Sequence, residues 1–265
     1  MSFSHTINLV SGRPEHGAFQ LYTAVPATKV AILPDQIPFT DGVVVPFVLE
    51  AAVCALSVKE PGVAMPGVST PALGLPHPVL SGSSSSADKV LVVFGGSSAA
   101  GSMTTQIATA AGVQVLAIAG AHNAELCKES GAFQVFDHKD SSLVDKVVAA
   151  VRQSGKKFIG IFDAIGVQET FDVDLAILAR LDGGHLALTH PPVGPVPDNV
   201  KAGMIFAVND VATPVWEEFV TPALESGQLK CLPRPTIVGK GLEHVQAALL
   251  KSKSGVSGTK LVVEL

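Results

Sequence analysis

From residue 88 onward the chain repeats one unit: a short apolar run, a turn of small residues, then a segment of helical periodicity. Residues 90–94 lead into a helix expected over about 100–111, residues 113–118 into one over about 123–130, residues 134–136 into 143–153, and residues 158–162 into 169–181. Residues 184–188 close the series. Runs this uniformly apolar belong to strands covered on both faces, and strands that alternate with helices pair in parallel. The pattern therefore predicts an α/β, doubly wound parallel sheet of the Rossmann type, with five strands.

The first unit carries the most chemistry. Its apolar strand runs through Gly95-Gly96-Ser97-Ser98-Ala99-Ala100-Gly101 into the next helix. So bare a backbone lets a pyrophosphate approach the free N–H groups of a helix start, where negative charge is favoured. Against the dinucleotide fingerprint G-x-G-x-x-G, the match is Gly96, Ser98 in place of the middle glycine, and Gly101. The same small residues would also serve plain close packing of helix on strand. The second unit ends in Gly120-Ala121-His122-Asn123, without the acid that hydrogen-bonds the ribose hydroxyls of NAD and repels the 2′-phosphate of NADP. His122 and Asn123 offer donors instead, which favours NADP, while Asn123 also suits a simple helix N-cap.

Composition removes several function classes. The 265 residues are 47% hydrophobic and 15% charged, with 18 Lys+Arg against 23 Asp+Glu, so no basic excess is available for nucleic acid. Cys54, Cys127 and Cys231 are far apart and form no CxxC pair, which speaks for reduced thiols in a cytoplasmic protein and against zinc. The most apolar stretch, 42–58, contains Pro46 and Glu50 and is too short for a bilayer span, and residues 1–5 lack the features of a signal peptide. No membrane partner is expected.

Ahead of the repeating units, residues 19–25 and 29–33 read as short strands and 48–58 as a buried helix, while 81–87, rich in serine, reads as a flexible connector. Beyond residue 210 the pattern gives a helix over 214–226, an extended segment over 230–238, a helix over 242–250 and a terminal strand over 260–265.

Several blocks in register resemble the zinc-independent medium-chain dehydrogenase/reductase family, most closely its fungal trans-acting enoyl reductases and ToxD-like oxidoreductases. They are His16-Gly-Ala-Phe19, Ala31-Ile-Leu-Pro34, Gly74-Leu-Pro-His-Pro78, Gly95-Gly-Ser-Ser98 with Gly101, Ala121-His-Asn123, Val135-Phe-Asp-His138, Asp163-Ala-Ile-Gly166 and Val256-Ser-Gly-Thr-Lys-Leu-Val-Val263. The resemblance covers nearly the whole chain. It implies a partial GroES-like, β-rich substrate domain over 1–80, a linker over 81–87, a Rossmann domain over 88–210, and over 211–265 the end of that domain with a return strand to the substrate domain. It also implies that the chain opens inside the substrate domain, without the family's first quarter. By the resemblance, Ser97, Ser98, Ala99 and Ala100 meet the cofactor phosphates, and Gly120 to Asn123 meet the adenosine 2′-phosphate. His138 takes the place of a tyrosine beside the adenosine, and Ile165, Gly166, Val256 and Ser257 line the route to the nicotinamide. Ile165 and Val256 also read as plain core residues.

No catalytic side chain stands out. The histidines at 16, 77, 185, 190 and 244 have no Ser or Asp partner at a diagnostic spacing; Tyr22 reads as a half-buried strand residue, and Asp35, Asp88 and the other acids as solvated. Two functions remain. One is an NADPH-dependent reductase delivering hydride to an activated double bond of a small-molecule or thioester-linked substrate in secondary metabolism, with a polyketide synthase as partner. The other is an NADP-binding accessory subunit that is catalytically weak.

Overall fold

The computed structural model of the chain describes residues 2–4, 11–59, 62–65, 68–70, 73–80, 85–207 and 209–265. In order come β1 (Ser2–Ser4), β2 (Val30–Ile32), α1 (Phe39–Gly42), α2 (Pro46–Ser57), β3 (Gly62–Met65) and β4 (Val68–Thr70). The repeating units follow as β5 (Lys89–Phe94), α3 (Ala99–Ala110), β6 (Gln114–Ala119), α4 (Ala124–Glu129), β7 (Gln134–Asp137), α5 (Leu143–Gln153), β8 (Lys157–Asp163), α6 (Gln168–Arg180), β9 (Gly184–Leu188) and β10 (Val200–Met204). The chain ends with α7 (Val220–Ser226), β11 (Pro235–Lys240), α8 (Val245–Lys253) and β12 (Lys260–Glu264).

Strands β5 to β10 form one parallel sheet in the order β10-β9-β8-β5-β6-β7. Along β5 the side chains alternate between two cores: Leu91 and Val93 join the one that contains Met103 and Phe162, and Val90, Val92 and Phe94 join the one that contains Val147, Ile161 and Ile177. Both faces are buried, which is why these strands are continuous apolar runs. The chain fills one side of β5 through β6 and β7, then crosses to β8 on the other. In open sheets of this kind such a reversal of strand order is where a crevice forms, outside the carboxyl ends of the strands.

Five of the six strands stand where the sequence pattern puts them. The sixth, β10, was not anticipated: Val200-Lys-Ala-Gly-Met204 has neither a continuous apolar run nor a clean alternation, as an edge strand bonded on one side only can afford. The strand expected over 19–25 is absent; the segment is irregular, with Phe19, Leu21 and Tyr22 exposed. Tyr22 is 89% exposed rather than half-buried, because a strand there would have no neighbour among the described residues. The expected helix over 214–226 opens with a π-helical turn at Val215–Phe219 before α7. Of the expected connector, 81–84 lie outside the described residues, and Ser86 is buried.

α1, α2 and the turn between them span Phe39–Ser57, a run of 19 residues long and apolar enough to cross a bilayer by length and composition. That corrects the expectation that the stretch is too short, since the helical run begins ahead of Gly42. Two-thirds of it is buried inside the molecule, where Leu49, Val53 and Leu56 share a core with Leu91, Val93 and Met103. The core thus continues from the front of the chain into the parallel sheet.

A buried ion pair ties this front region down. Lys29 Nζ donates to both Glu50 oxygens at 2.9 Å and to the Asn209 carbonyl at 3.0 Å, and Trp216 Nε1 donates to Glu50 Oε1 at 2.6 Å. Glu50 is not a solvated acid but the acceptor at the centre of three segments. Removing one partner of such a pair strands the other charge in the interior. Glu50→Ala should destabilise the fold by about 3–5 kcal/mol, and the double change with Lys29→Met should recover most of the loss. Urea unfolding of both variants followed by tryptophan fluorescence checks this; an unaltered midpoint for Glu50→Ala refutes it.

Candidate functional site at the carboxyl end of the sheet

The loop between β5 and α3 is held by backbone against backbone. Gly95 takes φ +72°, and Ser98 caps α3 by accepting the Gly101 N–H on Oγ at 3.0 Å. A β-carbon on Gly101 would run into the Gly95 carbonyl, and one on Gly96 would come within 2.9 Å of the Ala117 β-carbon and 3.3 Å of Cys127 Sγ. The glycines at 96 and 101 are therefore required by close approach. Serine at 98 replaces the middle glycine because its hydroxyl caps the helix, and a cap of this kind contributes about 1 kcal/mol. Ala99 and Ala100 begin α3, whose first N–H groups have no partner within the helix and point out at the crevice. Cys127 packs beneath the loop, its thiol pushed up to about 11 by burial.

Three distant segments meet above this loop. Asn123 Nδ2 donates to Ser97 Oγ at 3.1 Å and to Ser257 Oγ at 2.9 Å, and His122 Nε2 lies 3.4 Å from the same Ser257 oxygen. Ala121–Asn123 form a 3₁₀ turn ahead of α4, and the Asn123 side chain makes no capping bond. The residue is a clasp between loops rather than a simple N-cap. A β-carbon on Gly120 would meet the His122 ring at 2.8 Å and the His138 ring at 3.5 Å, so the two rings pack against the bare backbone of Gly120 at the end of β6. Ala121 is exposed beside them. The nearby Asp137 carboxylate accepts the Lys139 N–H at 3.1 Å.

On the other side of the crevice, Ile165 lies over Gly95, where a β-carbon would come 2.7 Å from Ile165 Cδ1, and Gly166 turns at φ +69° against His190. Ile165 is 37% exposed and Val256 44%, which removes the reading of either as a plain core residue. The turn at 165–166 rests on Asp163, fully buried at the end of β8. Its Oδ1 accepts the Ile165 N–H at 2.8 Å and the Gly166 N–H at 3.1 Å, and its Oδ2 accepts the Thr170 hydroxyl at 2.7 Å. The sequence reading took such acids as solvated, and Asp163 with Asp174 corrects it. Asp163 closes an apolar strand, while Asp174 shares the inward face of α6 with Thr170, Phe171, Ile177 and Leu178, a helical spacing that was legible in the sequence.

The structure thus brings Gly96 to Gly101, Gly120 to Asn123, His138, Ile165, Gly166 and Ser257 to one end of one sheet, with Val256 next to Ser257 in the chain. A bare helix start, polar uncharged side chains and two imidazoles can receive a phosphate-bearing ligand.

Similarity to known proteins bears on the family and the fold. A family model described as zinc-binding dehydrogenase matches residues 99–205. "Dehydrogenase orsE" of Emericella nidulans is 68% identical over 261 residues, covering 98% of this chain and 75% of that protein. "Trans-enoyl reductase himH" of Aspergillus japonicus is 35% identical over 267 residues, covering 98% of this chain and 72% of that one. A solved mycobacterial structure, described as complexed with NADPH, shares the fold with a TM-score of 0.62 at 21% identity, covering 91% of this chain and 69% of that chain. The chain belongs to the medium-chain dehydrogenase/reductase family.

The family model's description names zinc, so the donors matter. Among the described residues no three His, Cys, Asp or Glu side chains come together to hold a metal ion. Cys54 sits beside Asn209, and Cys127 lies under the glycine loop. The described residues do not fit a zinc centre.

The close approach at Gly101 sets a test. Gly101→Ala should unseat the helix start and lower stability by about 1–3 kcal/mol, the usual cost of forcing extra volume into a packed site, while Ala100→Gly, in the next position, should cost only about 1 kcal/mol. Thermal unfolding by circular dichroism compares the two; equal midpoints would show that the loop yields freely.

Proposed function

We propose that this chain is an NADPH-dependent, zinc-independent oxidoreductase of the enoyl-reductase kind, acting on an activated double bond of a small-molecule or thioester-linked substrate in secondary metabolism. The observation that carries the reading is the clasp of Ser97, Asn123 and Ser257 beside a glycine-walled helix start, at an end of β6 that lacks an acid. The description of himH as a trans-enoyl reductase supports the reaction class, and the NADPH complex of the mycobacterial neighbour supports the cofactor. By this reading a polyketide synthase is the partner that presents the substrate.

Each residue then has a part. Gly96, Ser97, Ser98, Ala99, Ala100 and Gly101 receive the pyrophosphate on backbone N–H groups and the Ser97 hydroxyl. The Asn123 amide, already committed to Ser97 and Ser257, fixes the wall of the site, and the exposed His122 ring with His138 supplies donors to the 2′-phosphate across Gly120 and Ala121. Ile165, Gly166, Val256 and Ser257 border the nicotinamide. The bound nicotinamide supplies the hydride. The protein's contribution is to hold it in reacting geometry and to keep water away, an advantage worth up to about 7–11 kcal/mol in favourable cases.

Titration of nucleotide fluorescence should show NADPH bound at least about tenfold more tightly than NADH, a difference of about 1.4 kcal/mol. His122→Ala should narrow that ratio by weakening NADPH alone. Equal affinity for the two nucleotides, or a preference for NADH, overturns the cofactor assignment. NADPH oxidation with a crotonyl thioester in the same samples tests the reaction class, and a protein that binds NADPH tightly yet reduces no enoyl substrate overturns that part.

A further inference from the structure

Beneath the 165–166 turn lies a second carboxyl that the proposed reaction does not use. Asp174 is fully buried on the inward face of α6, and neither of its oxygens has a hydrogen-bond donor among the described residues. Asp163, equally buried, faces it from the end of β8 and already accepts three hydrogen bonds. Two carboxylates cannot sit together in the interior as anions, because each lacks water and repels the other. A shared proton solves both difficulties.

We propose that Asp174 donates a hydrogen bond from its carboxyl O–H to Asp163, and that this acid–carboxylate pair makes Asp174 a positioning residue that holds the Ile165–Gly166 turn against the cofactor crevice. Burial is the main force that drives the Asp174 carboxyl far above its usual range, with the Asp163 charge and the contact to Asp163 adding to it. The acid form is thereby favoured at Asp174, whereas Asp163 already accepts three hydrogen bonds.

No other charge competes for the pair. On α6 itself Glu169, Asp172 and Arg180 are exposed, and Asp172 accepts a bond from Gln168 Nε2 at 2.8 Å. On α5, which packs against α6, Asp145 pairs with Arg180, and Arg152 donates to the Arg180 carbonyl. Lys157 lies exposed at the far end of β8. His185 on β9 is held toward its neutral form by burial and by Lys201, and His190 stands across Gly166 on the crevice side. Among the described residues, Asp163 is the one charged group that acts on Asp174.

The claim about binding rests on the cofactor reading above, whereas the claim about the turn does not, so the experiment separates them. Wild type, Asp174→Asn and Asp174→Leu are compared, because asparagine can still donate to Asp163 and leucine cannot. Without cofactor, amide exchange in residues 164–170 should match in wild type and Asp174→Asn and be about tenfold or more faster in Asp174→Leu, the scale of one lost buried hydrogen-bond partner. Infrared spectra of aspartate-labelled protein at neutral pH should contain a protonated-carboxyl band that Asp174→Asn removes. With NADPH, Asp174→Asn should bind within about threefold of wild type and Asp174→Leu about tenfold or more weakly.

Should Asp174→Leu fail to fold, pH supplies the second arm: as it rises through alkaline values, wild type should lose protection at 164–170 beyond the intrinsic base-catalysed change, and Asp174→Asn should not. Absence of the infrared band, unaltered protection in Asp174→Leu, or unprotected exchange in Asp174→Asn overturns the proposal. If the band and the protection are found but wild type binds no NADPH, the pair's hold on the turn stands and the cofactor reading falls.

Discussion

The close approach of the Gly101 α-carbon to the carbonyl of Gly95 sets the geometry at the carboxyl end of the sheet. It brings the start of α3 so near to the end of β5 that no side chain fits between them. The helix axis then aims its free N–H groups at the crevice where the sheet order reverses, and Ser98 can close the first turn with its own hydroxyl. The approach also lets α3 sit flat on the sheet, with Met103 and Ile107 buried in the same core as Leu91 and Phe162. A bulkier loop would lift the helix and forfeit the cap and that packing together.

Local pattern made the parallel sheet readable. Each of β5 to β9 is bracketed by small residues and followed by a helical period, so strand and helix declare themselves within a dozen or so residues. Segments whose state depends on distant neighbours were opaque. Residues 19–25 have strand-like composition, yet a strand forms only where another strand supplies its hydrogen bonds. β10 shows the converse: Lys201 and Gly203 read poorly as a strand, but the open edge of β9 recruits the segment. Glu50 looked like a break in an apolar run, because nothing near it in sequence reveals that Lys29 and Trp216 will meet it in the interior.

The site divides in the same way. The glycine loop and the acid-free end of β6 were legible because each is one short motif whose spacing carries its physics. The clasp was legible only as separate blocks, since Asn123 and Ser257 are joined by a hydrogen bond across 134 positions of chain. Resemblance to a family supplied Ser257, and the fold supplied its partner. Asp163 was quoted within a block but given no role, since what matters is its complete burial under a turn whose N–H groups it accepts.

Charge placement follows from these constraints. Asp163 is turned inward and directs its charge to two backbone N–H groups and a hydroxyl, while the carboxylate beside the imidazoles, Asp137, lies 3.8 Å from His138 Nδ1 and accepts the Lys139 N–H. A second buried acid behind it would undo the arrangement if it were ionised, which is the cost of placing Asp174 on that face. The sign of that cost is fixed by its raised pKa: above the ordinary carboxyl range the unfolded chain has released the proton and the folded chain has not. Each pH unit in that window therefore removes about 1.4 kcal/mol of stability, until the folded carboxyl ionises too. Burial lowers the Lys260 ammonium to about 8, and its Nζ reaches the Val44 carbonyl at 3.4 Å. That group acts in the opposite sense, its cost being full at pH values below the folded pKa and relieved as the pH climbs from there toward its ordinary value. The two slopes have opposite signs, and the relief at Lys260 acts only where the pH exceeds about 8.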